Sequence, residues 1–184
     1  MSLSPCRRSP GLLLSLLAGA LLAALAGVSC AADGPADAEG GAEEVTVAFV
    51  VDGDTIELVD GVHVRLVQID APEAGDECYG AEADEILREL VPEGTTVRLE
   101  RDRALDDTDR FDRLLRYVHV GETNVNLALV ERGAASVWFV GGDQGRYAEE
   151  LLDAARSARS ERRGAWGVCD PELDPFRGFH TTRR

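Results

Sequence analysis

The sequence predicts a small α+β barrel, with short strands in antiparallel order and helices packed against them. Three observations carry this. Residues 45–69 hold three short β-branched or alternating runs separated by tight-turn signals. Three later stretches, 81–90, 124–132 and 146–162, have helical periodicity instead. Strands and helices do not alternate at βαβ spacing, which excludes a doubly wound parallel sheet. The five-stranded Greek-key barrel is one architecture of this kind. At 184 residues, with 45% hydrophobic, the chain supplies one globular domain.

Each element has its own signal. Residues 45–52 (VTVAFVVD) have the composition of a strand. Residues 55–59 (TIELV) alternate and meet Asp60-Gly61, a favoured tight-turn pair, and 62–69 (VHVRLVQI) resume the alternation. The three read as an antiparallel meander. Residues 81–90 (AEADEILREL) place Ile86, Leu87 and Leu90 on one side and are stopped by Pro92 and Gly94. Residues 95–100 and 114–120 are two more strands. Residues 124–132 form a short helix with Leu127 and Val130 inward, closed by Gly133. Residues 146–162 form a longer amphipathic helix with Leu151, Leu152 and Ala155 on its apolar side.

Ahead of this domain, residues 1–30 contain Arg7-Arg8, an apolar stretch from 11 to 28, small residues at the end and no acid. That is the grammar of a secretory signal, and a retained membrane anchor is the alternative because the run is near spanning length. Cys30, after Gly-Val-Ser, resembles a lipoprotein box, which would give a lipid tether; cleavage after Ala31 or Ala32 is the competing reading. The expected location is therefore secreted, periplasmic or cell-surface. Residues 31–44 read as an acidic disordered spacer, 45–170 as the domain, and 171–184 as a flexible tail. Cys78 and Cys169 are the two domain cysteines, and in an exported protein they are expected to pair. The bridge closes a loop of about 90 residues and contributes about 2–4 kcal/mol.

Two acidic clusters carry the chemistry. Asp52-Gly53-Asp54-Thr55 lies at a strand junction, and Arg65-Leu66-Val67-Gln68-Ile69-Asp70-Ala71-Pro72-Glu73 is a strand running into a rigid turn. Alternation puts Arg65, Val67 and Ile69 on one face. Asp54, Asp70 and Glu73 are carboxylates at strand ends, a donor set suited to a hard cation such as Ca²⁺ or Mg²⁺; acids in turns are also commonly just solvated. His63, His119 and His180 are scattered, and there is no zinc-type Cys/His spacing, Walker loop or G-x-S-x-G.

The strings VVDGDTIEL, VRLVQIDAPE, ECYGAEA, DRFDRLLRYV, NLALVERGAA and GAWGVC, spanning 45–169, resemble the staphylococcal nuclease family. The resemblance implies a five-stranded OB-fold barrel with three packed helices and Ca²⁺-dependent hydrolysis of DNA and RNA to 3′-phosphorylated products. Position by position it implies Asp54 and Asp70 as calcium carboxylates, with the Ala71 carbonyl beside them where the family often has Thr. It implies Glu73 as the carboxylate acting on the attacking water, and Arg65 and Arg113 as guanidinium groups on the phosphate. Arg110, Phe111 and Phe139 are implied as substrate contacts, Phe139 by stacking on a base. A monomer is expected.

The sequence also departs from that pattern. Asp112 stands where the family has Gly, Phe111 lacks the hydroxyl of a common Tyr, Gly141 replaces a nucleotide-contacting Tyr, and the turn from Glu73 to Tyr79 is short. The net charge is −15, and all 19 basic residues are Arg. Polyanion affinity is largely electrostatic, so this acidity fits a saline environment where a basic surface brings little, or coding bias with acidity away from the cleft, or loss of nucleic-acid chemistry. The alternative function is a non-catalytic OB-fold binding module with a structural calcium.

Overall fold

A computed structural model describes residues 43–182. The expected signal segment, Cys30 and nearly all of the expected spacer lie outside the described residues. Strand β1 (Glu43–Asp52) begins inside the segment expected to be spacer, because its first four residues pair with a neighbouring strand. Strands β2 (Thr55–Leu58) and β3 (His63–Leu66) complete the expected meander. Strands β4 (Ile69–Asp70), β5 (Thr96–Glu100), β6 (Leu114–Val120), β7 (Thr123–Asn124) and β8 (Ser136–Val137) follow. The helices are α1 (Gly80–Leu90), α2 (Val125–Glu131), α3 (Ala148–Ser160) and a single turn, α4 (Ala165–Val168).

The main sheet runs β3-β2-β1-β5-β6-β7 and closes through β3–β6, leaving β1, β2, β3, β5 and β6 as the barrel wall. Closure is parallel (Val64↔Leu114, Leu66↔Arg116), so the barrel is mixed rather than wholly antiparallel. β1 makes the curvature. Its first half pairs with β5 and its second half with β2, with register shifts at Val47/Phe49 and Val50/Asp52 that bend the strand. Val47, Ile56, Val64, Leu66, Val97, Leu99 and Val118 fill the interior, and Leu87, Leu129 and Leu151 bring the three longer helices onto it. On α2 the inward pair is Leu129 and Val130; Leu127 is only half-buried. That helix starts with Asn124, whose side chain accepts the Leu127 N–H at 3.2 Å. Among the described residues no helix is long and apolar enough to cross a membrane.

Two departures from the sequence reading shape the site. The run 62–69 is not one strand. It breaks after Leu66, with Gln68 at φ 65°, and resumes as β4, which pairs with β8 (Asp70↔Ser136). Buried Asn126 holds the break, donating to Val67 O at 2.9 Å and accepting Val118 N–H at 3.0 Å. The segment expected as a flexible tail is docked, because it carries Phe179, which is 0% exposed and lies 4.9 Å from the Trp166 ring. The Cys78–Cys169 disulfide forms as expected, with Cα atoms 6.0 Å apart.

Candidate active site

The β1–β2 turn sets the first carboxylate. Its residue Gly53 has no room for a side chain: a Cβ there would sit 2.7 Å from Ala71 Cβ and 3.1 Å from Ala83 Cβ. This close packing drives Asp54 inward, to 7% exposure. Asp54 Oδ2 accepts Ala71 N–H at 2.9 Å and Oδ1 accepts the Thr55 hydroxyl at 3.1 Å. Asp70, at the end of β4, faces the same spot.

Arg65 bridges them. Its Nη2 lies 2.8 Å from Asp54 Oδ2 and 2.9 Å from Asp70 Oδ1, while Nη1 donates to Leu66 O at 2.6 Å and Ile69 O at 2.8 Å. The β3 break is what turns the Ile69 carbonyl toward it. Even so, one guanidinium does not neutralise this corner. Burial pushes the Asp54 carboxyl up to about 7 against the pull of Arg65, with Asp52 and Asp70 adding to the rise. Burial also raises Asp70, opposed by the Phe179 N–H and Arg65. Glu73 is exposed on the turn after Pro72, and it too is raised, by partial desolvation and by Asp52, Asp70 and Glu77. The corner is short of positive charge, and its donors are all oxygen, which fits a hard divalent cation. Asp54, Asp70 and the Ala71 carbonyl are the groups that could hold one. Among the described residues no three Asp, Glu, His or Cys side chains are grouped to hold a metal ion, so a cation here would need a carbonyl and water beside the two carboxylates.

The second guanidinium is placed by a turn. Asp109 Oδ1 accepts the N–H groups of Phe111 (2.9 Å) and Arg113 (3.1 Å), and its Oδ2 accepts Arg113 Nε at 2.7 Å. Desolvation acts upward on Asp109, but these donors together hold its carboxyl below the usual range. Arg113 Nη1 also donates to Thr55 Oγ1 at 3.3 Å, so one buried hydroxyl links Arg113 to Asp54. Asp112 sits at φ 62°, a left-handed conformation that glycine adopts freely and Asp tolerates. Arg65 and Arg113 line a cavity of about 450 Å³ with Val67, Leu115, Trp138, Arg110 and Phe111.

Four of the predicted site residues line this cavity, whereas Asp54, Asp70, Ala71 and Glu73 lie outside its lining. Arg65, Arg113, Arg110 and Phe111 share the cavity, and Phe111 is 63% exposed with the guanidinium of Arg110 4.7 Å from its ring. Phe139 does not. It is 1% exposed, packed 6.1 Å from Phe176 and donating its N–H to Pro175 O, so it is core and cannot stack on a base. The pairing of β4 with β8 points Trp138 to the cavity in its place. The residues missed by sequence reading are Thr55, Asp109 and Trp138. Asp109 carried a signal, since an Asp two and four residues before Phe111 and Arg113 is a turn former.

A family model described as staphylococcal nuclease homologue matches residues 63–168, more than half of the chain. The chain belongs to the staphylococcal nuclease family. Arg65, Asp70, Ala71, Glu73 and Arg113 fall inside the matched span, whereas Asp54 and the docked C-terminal segment fall outside it. Among staphylococcal nuclease relatives, it is 34% identical over 145 residues to the SPbeta prophage-derived endonuclease YokF of Bacillus subtilis, covering 74% of this chain and 48% of that protein. It is 36% identical over 145 residues to protein ParB of Escherichia coli, covering 71% and 76%. It is 31% identical over 132 residues to the micrococcal nuclease of Shigella flexneri, covering 65% and 71%. The chain thus spans about half the length of the first relative and about three quarters of the other two.

Proposed function

We propose that this protein is an exported calcium-dependent nuclease that hydrolyses phosphodiester bonds of DNA and RNA. One observation carries the reading: Arg65 holds the buried Asp54 and the half-buried Asp70 and, with Arg113, forms the wall of a cavity large enough for a nucleotide. Phosphodiesters resist attack because nucleophile and phosphorus centre both carry negative charge. The two guanidinium groups on the cavity wall supply positive charge that offsets it as it builds. Calcium, when bound, adds a Lewis acid that polarises the phosphoryl group and orients water.

The chain's own residues divide the remaining work. Glu73, exposed on its turn and with its carboxyl raised by partial desolvation and by neighbouring acids, takes the proton from the attacking water. The P–O5′ bond breaks and the departing 5′ oxygen takes a proton from solvent water, leaving a 3′-phosphate and a 5′-hydroxyl. Arg113, fixed by Asp109, steadies the charge on the phosphoryl oxygens, and Trp138 offers an aromatic face to a base. Acids at the cavity lip (Asp106, Asp109, Asp143) balance its arginines, so binding here depends on local forks more than on a broad basic field. The disulfide supports an oxidising compartment, as the leader does.

Glu73→Gln tests the reading. The expected result is an intact fold and calcium affinity, with turnover of single-stranded DNA lower by about 10²–10⁴-fold. Undiminished turnover removes Glu73 from the reaction. A folded wild-type protein that binds DNA without cleaving it would favour the binding-module alternative.

A further inference from the structure

The docked segment 170–182 reaches the carboxylate corner itself. The Phe179 N–H donates to Asp70 Oδ2 at 2.7 Å, opposite the oxygen held by Arg65. The approach is possible only because residue 178 is glycine: its φ is 79°, and a Cβ there would lie 2.9 Å from Asp70 Oδ2. The segment is held at both ends. It leaves α4 at Cys169, which is disulfide-bonded to Cys78, and it returns to Cys78, whose N–H donates to Thr181 O at 3.4 Å and whose carbonyl accepts the Thr181 hydroxyl. Glu77 accepts the Thr181 N–H at 3.3 Å and lies 3.2 Å from His180. Phe179 plugs the gap against Trp166. The strap thereby braces both Asp70 and the turn from Ala71 to Cys78 that carries Glu73.

We infer that this C-terminal strap is a working part of the cation site, with the Phe179 N–H as the positioning group that fixes the rotation of Asp70. A carboxylate that accepts one backbone N–H and one guanidinium is held in a single plane, and outer contacts of this kind set metal affinity. The inference rests on the calcium-dependent reading of the site. It makes strap docking and cation binding reciprocal: each strengthens the other by the same factor.

The test uses the full chain and calorimetric titration with Ca²⁺. Gly178→Ala is expected to weaken calcium binding at least about tenfold, the cost typical of losing an outer-shell contact. Leu151→Ala, buried in α3, is expected to lower the melting temperature at least as much and leave calcium affinity unchanged. Wild-type affinity in folded Gly178→Ala makes the strap a structural staple and overturns the inference alone. If wild type binds no calcium, the functional reading falls with it. Should Gly178→Ala fail to fold, amide exchange on wild type decides. Calcium should slow exchange at Phe179 more than at Leu151, whose N–H is bonded within the α3 region to Tyr147 O at 2.9 Å. Equal slowing at the two positions also overturns the inference.

Discussion

The two arginines that face the cavity are held in opposite ways. Arg65 is 7% exposed and spends its donors on two carboxylates and two carbonyls. Arg113 is half-buried, bound to a single carboxylate on its own turn and to one hydroxyl. The first is built into the barrel closure and is inseparable from the fold. The second hangs from a surface turn whose geometry depends on Asp109. The two guanidinium groups therefore carry different structural burdens, and substitution separates them.

Arg65→Ala should give the largest effect. Removing it leaves buried Asp54 and half-buried Asp70 without their counter-charge, at a cost of about 3–5 kcal/mol. Denaturant unfolding should show that loss together with loss of turnover. Stability near wild type would mean that the bridge is not structural. Arg113→Ala should reverse the balance, cutting turnover by about 10²–10³-fold while the melting temperature moves little. Arg113→Lys should recover little, because an ammonium cannot reproduce the fork. Equal destabilisation by the two alanine variants would erase the contrast.

Smaller changes sharpen it. Asp112→Gly relieves a left-handed residue beside Arg113 and should stabilise by up to about 1 kcal/mol, read as an upward shift in melting temperature. A decrease would show that the Asp112 side chain has a role of its own. The smallest effect concerns His119, buried on β6 with Nε2 2.9 Å from Glu100 Oε2 and opposite Arg98. Desolvation and Arg98 lower its imidazole below the usual 6.5 despite Glu100. The unfolded chain then binds the proton more readily, so this contribution is full above pH 6.5 and is lost as pH falls below it. His119→Gln should flatten the stability profile over that interval. An unchanged slope would assign the acid sensitivity elsewhere.

What could be read from the sequence follows the same division. Each barrel strand is a local run, and the Asp54, Arg65, Asp70 and Glu73 cluster lies in two contiguous strings, where alternation and turn residues act locally. Phe139 was misassigned because its orientation is decided by β8, two residues long, pairing with a strand segment that exists only because 62–69 breaks at Gln68. No local pattern announces that break; Asn126, about sixty residues away, holds it. The strap was equally hidden. Its burial rests on one aromatic, Phe179, in a Pro-, Gly- and Asp-rich stretch whose composition is that of a solvated tail. Only the Cys78–Cys169 bridge hinted that residues near 170 return to the site.

If this oxygen-lined, arginine-walled corner hydrolyses nucleic acid, it should do so only when calcium is present. The most direct measurement is release of acid-soluble nucleotides from single-stranded DNA and from RNA by the purified protein. It compares calcium with chelator, from low to high salt. The expected result is calcium-dependent release, abolished by chelator, with a shallow salt dependence because the cavity lip carries balanced charge. Folded protein that binds calcium yet releases nothing from either polymer at any salt concentration would contradict it.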